Sequence, residues 1–204
     1  PYDAIGLNPD GFSAEISRIA ASICAGQGYA GAFYPGVLTA HIEPIYPYIM
    51  AIVFKLFGVC SYASAVALTY LNVLFSTFTI PVLFMLSKKI YNEKVAWLTS
   101  LVFCFWPTAY WRSFNLWSET LATLLFLIIL LLFVSWLEKP TTQRSILLGL
   151  GYGVGILTTA AFITFTIFSL ALILVLKRAS LKKYWRLWTI IIITITLILT
   201  PWLI

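Results

Sequence analysis

The chain has 204 residues, of which 61% are hydrophobic and only 10% charged. Soluble domains carry about 25% charged residues, so a water-soluble globular class is excluded and an all-α polytopic membrane protein is expected. A net charge of +6 would suggest nucleic acid in a soluble chain, but here loop position accounts for it and no nucleic-acid partner is expected.

The chain opens on PYDAIG, with neither Met nor a signal peptide, and stops at PWLI inside an apolar run. The expectation is a fragment lacking at least one N-terminal helix and some C-terminal part. Residues 11–25 are predicted as a short helix, with Asp10 at the cap and Phe12, Ile16, Ile19 and Ile23 recurring along one face. Gly26 and Gly28 end it, and Glu15, Arg18 and Ser22 share another face. It is too short to cross a bilayer and is expected at the interface. Asp10 and Glu15 admit two readings: a general base with a substrate-orienting carboxylate, or a helix cap with a first-turn acid that offsets the dipole.

Residues 29–43 read as loop. The stretch TAHIEPIYP sets His41, Glu43 and Tyr46 beside two prolines. It reads either as a holder of a divalent cation or phosphate-bearing substrate, or as a rigid interfacial turn. One His and one Glu fall well short of a metal-binding spacing such as HExxH. No cofactor is therefore assigned, and a divalent metal ion is the one candidate. Residues 45–58 carry Lys55 and close on Gly58. As a helix they reach about 20 Å against a core of about 30 Å, so a second juxtamembrane or re-entrant helix is expected. Residues 1–60 thus form a loop with two interfacial helices, and 61–204 a transmembrane bundle.

The bundle is read as Tyr62–Leu86, Val95–Trp111, Trp117–Leu137, two short helices within 146–176 turning near Thr158–Ala161, and Leu187–Ile204. That makes about six spans. Three loops, 88–94, 138–145 and 177–186, hold ten of the thirteen Lys and Arg, which the positive-inside rule assigns to the cytoplasm. Asp3, Asp10, Glu15, Glu43 and Glu119, five of the seven carboxylates, then fall on the extracytoplasmic side. Any chemistry is expected there.

Glu119 opens a span, with Arg112 just before it. It is either a paired, working residue at the lipid edge or a first-turn acid. In GLGYGVG, residues 149–155, Gly149/Gly153 and Gly151/Gly155 give small-xxx-small spacing for close helix packing, and the run is no nucleotide loop. The basic, aromatic KRASLKKYWR is an inner-leaflet anchor whose partners are membrane lipids. Cys24, Cys60 and Cys104 have no metal spacing. They read as small apolar fillers, with a Cys24–Cys60 disulfide as the alternative.

In order, the chain shows an acidic loop, an interfacial helix ending Ala-Gly-x-Gly-Tyr, and a Pro-x-Tyr-Pro stretch closing Lys-Leu-Phe-Gly. A Ser-Lys-Lys-x-Tyr turn, Phe-x-Phe-Trp-Pro, Trp-Ser-Glu-Thr-Leu, a Gly-rich helix closing Leu-Thr, and Pro-Trp come after. This set resembles the polyprenyl-phosphate-dependent GT-C glycosyltransferases of the protein mannosyltransferase and aminoarabinose-transferase type, especially bacterial dolichyl-phosphate-mannose-mannosyltransferase-like members. The resemblance implies a larger GT-C fold in a bacterial or archaeal cell membrane. It implies an inverting transfer of sugar from a polyprenyl-phosphate donor to an acceptor hydroxyl of unknown kind, on protein, lipid or glycan. Asp10 or Glu15 would be the base, with Arg18, His41, Glu43, Tyr46, Arg112 and Glu119 around the donor and its phosphate. The Leu-Thr-Arg-Pro of many relatives is Leu157-Thr158-Thr159-Ala160 here. The competing expectation is a non-catalytic polytopic protein, a transporter subunit or scaffold, in which charges would sit at the midplane.

Overall fold

A computed structural model describes residues 14–34, 36–176 and 181–203; Asp3, Asp10 and Phe12 lie outside the described residues. Within them the chain is all-α: α1 (Ala14–Cys24), α2 (Ile45–Phe57), α3 (Tyr62–Ile90), α4 (Glu93–Cys104), α5 (Pro107–Phe114), α6 (Glu119–Glu138), α7 (Thr142–Ile156), α8 (Ala161–Leu176) and α9 (Leu181–Leu203). Residues 25–34 and 36–44 are irregular, pinned by one antiparallel bridge between Ala30 and Leu38.

The helix starts obey local chemistry. Ser61, Asn92 and Thr141 cap α3, α4 and α7, each side-chain oxygen accepting a backbone N–H three residues on. Gly58, at φ 95°, ends α2 in a conformation that a side chain would resist. The predicted span Val95–Trp111 is instead two helices. Pro107 has no N–H to donate and forces Trp106 into an extended conformation (φ −75°, ψ 112°), so α4 stops and α5 starts afresh. Pro81 sits inside α3 without breaking it. Residues 146–176 do divide, into α7 and α8, across a turn at 157–160.

Among the described residues three helices are long and apolar enough to cross a membrane alone: α3, α6 and the Tyr184–Trp202 part of α9. At 15 and 16 residues, α7 and α8 reach only about 22–24 Å by helical rise. The bundle leaves large apolar side chains outward, among them Trp97, Leu101, Ile167 and Phe168. Water would penalise such a surface and a bilayer rewards it.

Two cores hold the molecule. In the first, α1 lays Ile16 and Ala20 against Tyr46, Met50 and Phe54 of α2, with Leu68 of α3 and Leu116 and Leu121 beyond. Ser22, expected on the polar face of α1, is buried instead, because the loop passes over it at Gly31. In the second core α6, α7, α8 and α9 pack around Ile129, Trp136, Leu148, Tyr152 and Ile191. The glycines of α7 serve three different neighbours, with Gly155 facing Phe162 of α8. A Cβ on Gly149 or Gly153 would meet Thr194, the Ile191 carbonyl or Ile198 of α9 at 2.8–2.9 Å, whereas one on Gly151 would meet Ile129 of α6 at 3.0 Å.

The bundle has two unlike ends. At one, Lys88 and Lys89 pair with Glu93 and Glu138 at 2.9 and 2.7 Å, and Arg144 donates to the carbonyls of Ser135 and Lys139. At the other stand α1, α2, the α5–α6 junction, the α7–α8 turn and Trp202.

Candidate functional site

The end opposite the lysines is assembled from segments far apart in sequence. The loop before α2 is held by Tyr29, whose hydroxyl donates to the Ile42 carbonyl at 2.8 Å and whose ring lies edge-on to Trp202 at 4.7 Å. Burial, then the neighbouring Tyr48 and Glu43, push the Tyr29 phenol well above its ordinary range. His41 stacks near Phe33, ring centres 5.0 Å apart. Glu43 turns the other way, and its Oε1 accepts from the Ala160 N–H in the α7–α8 turn. The Ile45 N–H reaches the Leu157 carbonyl of the same turn at 3.2 Å.

Arg112 and Glu119 meet at the α5–α6 junction, Nη1 to Oε2 at 3.3 Å, each about half exposed. Thr120 fixes that geometry by donating to the Arg112 carbonyl at 3.2 Å. The pair stands at a groove of about 380 Å³ that also takes in Thr159 of the α7–α8 turn, Ala161 at the start of α8 and an aromatic wall of Phe126, Phe162 and Phe165. On its other side Arg112 borders a smaller cavity of about 220 Å³, where Ser76, Thr79, Thr108 and Thr120 supply hydroxyls beside Trp106. A cation flanked by an acid, a hydroxyl-bearing cavity and an aromatic slot can take a ligand with an anionic head and an apolar body.

The site residues expected from sequence do not form one cluster. Arg112 and Glu119 come together, and Glu43 joins them through the turn. Glu15 and Arg18 ride half-buried on α1, which packs on α2, and neither lines the groove. Tyr46 is buried, not open to a ligand. Its hydroxyl donates to Asn72 Oδ1 at 3.3 Å, and burial raises its phenol to about 12 despite that bond. Among the described residues no three His, Cys, Asp or Glu side chains gather as metal ligands. Cys24 and Cys60 are free thiols in the first core, both raised in pKa mainly by burial.

One residue escaped the sequence reading. Asn72 is fully buried in the middle of α3; it accepts from Tyr46 and donates Nδ2–H to the Asn115 carbonyl at 2.9 Å. It thereby ties α2 and α3 to the Arg112–Glu119 junction. A lone Asn in a spanning run was signal enough, because such a group needs a partner in lipid.

Long apolar helices, outward apolar side chains and one basic end define a polytopic helical membrane protein. The family model for dolichyl-phosphate-mannose-protein mannosyltransferase matches residues 41–204, and the chain belongs to that family. It is thus a membrane glycosyltransferase of the mannosyltransferase, GT-C type. The matched stretch begins at His41, so α1 precedes it. Comparison with curated proteins and with solved structures gives no match.

Proposed function

We propose that the protein moves a sugar from a polyprenyl-phosphate donor to an acceptor hydroxyl at the extracytoplasmic end of the bundle, with inversion. The observation that carries this reading is the Arg112–Glu119 pair beside an aromatic slot. Phosphate oxygens suit Arg112 as a charge-assisted partner, and the isoprenoid suits Phe126, Phe162 and Phe165. The hydroxyl-bearing cavity on the far side of Arg112 has room for a sugar ring next to Trp106.

In this mechanism Asp10 or Glu15 takes the acceptor proton and the oxygen attacks the anomeric carbon. The C–O bond to phosphate breaks, and the leaving phosphate keeps that electron pair, stabilised by Arg112, which lines the groove, in preference to Arg18, which does not. Residues 1–60 act as the loop that brings the base over the bundle, with His41 and Tyr46 shaping its junction with α2. The half-exposed Glu119 in the first turn of α6 favours a surface reaction over a transporter, whose charges sit at the midplane.

The test is turnover of the full-length protein in liposomes with a polyprenyl-phosphate-mannose donor. Arg112→Ala is expected to cut transfer at least about a hundredfold, on the scale of losing one charge-stabilising donor. Asp10→Asn or Glu15→Gln should abolish it with insertion intact. Full activity in both carboxylate variants would remove the base assignment, and wild-type inactivity on every polyprenyl-phosphate sugar would remove the donor class.

A further inference from the structure

We infer that Glu43 is a positioning residue, whose carboxylate caps the N-terminus of α8 from across the molecule and so sets the wall of the Arg112–Glu119 groove. What the groove binds rests on the function proposed above; the cap itself does not.

Glu43 and Ala160 are 117 residues apart, yet the Glu43 Oε1 accepts the Ala160 N–H. Ala160 immediately precedes α8, at the point where helix N–H groups lack intrahelical acceptors and the dipole favours an anion. The residues on either side of it, Thr159 and Ala161, both line the groove. Moving Ala160 therefore moves two of the side chains facing Arg112 and Glu119. A second bond, Ile45 N–H to Leu157 carbonyl, makes the attachment a two-point clasp, closed around Pro44.

The loop is braced for this task. Tyr29 holds the Ile42 carbonyl and packs against Trp202, while Pro44 restricts the backbone of Glu43 itself. His41, the neighbour that would join Glu43 on a metal ion, stacks near Phe33 instead. The carboxylate thus works through the turn and not on the substrate.

The test compares wild type with Glu43→Ala, Glu43→Gln and Glu43→Asp in the full-length protein, by hydrogen-exchange mass spectrometry and by donor kinetics. Gln keeps an acceptor oxygen, whereas Asp draws the carboxylate back by one methylene. Exchange over residues 157–163 should rise about tenfold in Glu43→Ala and in Glu43→Asp, stay within about threefold of wild type in Glu43→Gln, and leave residues 62–90 unchanged. With polyprenyl-phosphate-mannose, Glu43→Ala should raise donor KM about tenfold with kcat within about threefold, and Glu43→Gln should restore KM. Unchanged exchange in the turn in both Glu43→Ala and Glu43→Asp overturns the inference. So does a kcat loss beyond about tenfold in both Glu43→Ala and Glu43→Gln, since that marks a direct chemical role. The exchange arm needs no turnover, so a wild type without transfer activity sinks the donor reading and leaves the cap to be judged on exchange.

Discussion

Asn72 shows how one polar group organises a lipid-facing helix. It answers both the Tyr46 hydroxyl and the Asn115 carbonyl, so replacing it strands the buried Tyr46 hydroxyl and unties the α5–α6 junction at once. Interhelical hydrogen bonds in membranes are individually modest, but unsatisfied partners cost more than the bond itself supplied. Asn72→Leu should therefore cost about 2 kcal/mol in detergent unfolding. Tyr46→Phe should cost less in that background than in wild type, the signature of a shared network. Equal costs in both backgrounds would mean that the Tyr46–Asn72 contact carries no coupling. Arg112 and Glu119 are a different case: their half exposure leaves the pair worth little as a stabilising bridge. They are better placed to exchange partners than to hold the fold.

Among elements, α7 is the tightest joint. Its glycines admit α9 on one side, α6 on the other and Phe162 of α8 at Gly155, so a single added methyl has unequal effects. At Gly149 the methyl meets the Ile191 backbone carbonyl at 2.9 Å as well as Thr194, and neither can swing away. At Gly151 it meets side chains alone, Ile129 at 3.0 Å and Leu132 at 3.7 Å. Gly149→Ala should destabilise by about 1–3 kcal/mol through overpacking. Gly151→Ala, helped by about 1 kcal/mol of helix propensity, should lie near wild type. Thermal melts in detergent that rank the two the other way round would refute the assignment of faces. The α4–α5 break belongs to the same scale. Pro107 alone predicts a helix interruption, yet Pro81 shares its chemistry and does not break α3. The two prolines differ in where the chain goes next: α5 brings Arg112 back to Glu119, whereas α3 runs on to Ile90.

For the whole molecule, the segregation of charge is the organising feature. Lys88, Lys89, Lys94, Lys139 and Arg144 belong to the end where α3 meets α4 and α6 meets α7, while Glu43 and Glu119 belong to the opposite one. The positive-inside rule then assigns the basic end to the cytoplasm. Single cysteines at position 91 and position 38, in a background without native cysteine, should label from opposite sides of sealed vesicles. Labelling of both from the same side would abolish the proposed topology, labelling of position 91 from outside and 38 from inside would reverse it, and either takes the extracytoplasmic reaction with it.

Composition and periodicity were enough to establish an all-α membrane chain, the starts of α3 and α6 and the close packing of the glycine helix, while the turn near residue 158 followed from the basic loops on either side. Those properties are local: caps, apolar runs and glycine spacing act within a few residues of themselves. The pairing of Arg112 with Glu119 was half legible, because the two lie seven positions apart around one junction. The bond from Glu43 to Ala160, the burial of Tyr46 against Asn72 and the seat of Tyr29 on Trp202 were decided only by tertiary structure. Each joins groups dozens to more than a hundred residues apart, and a hydrogen bond is chosen by whatever donor the folded chain delivers within about 3 Å, which no periodicity encodes.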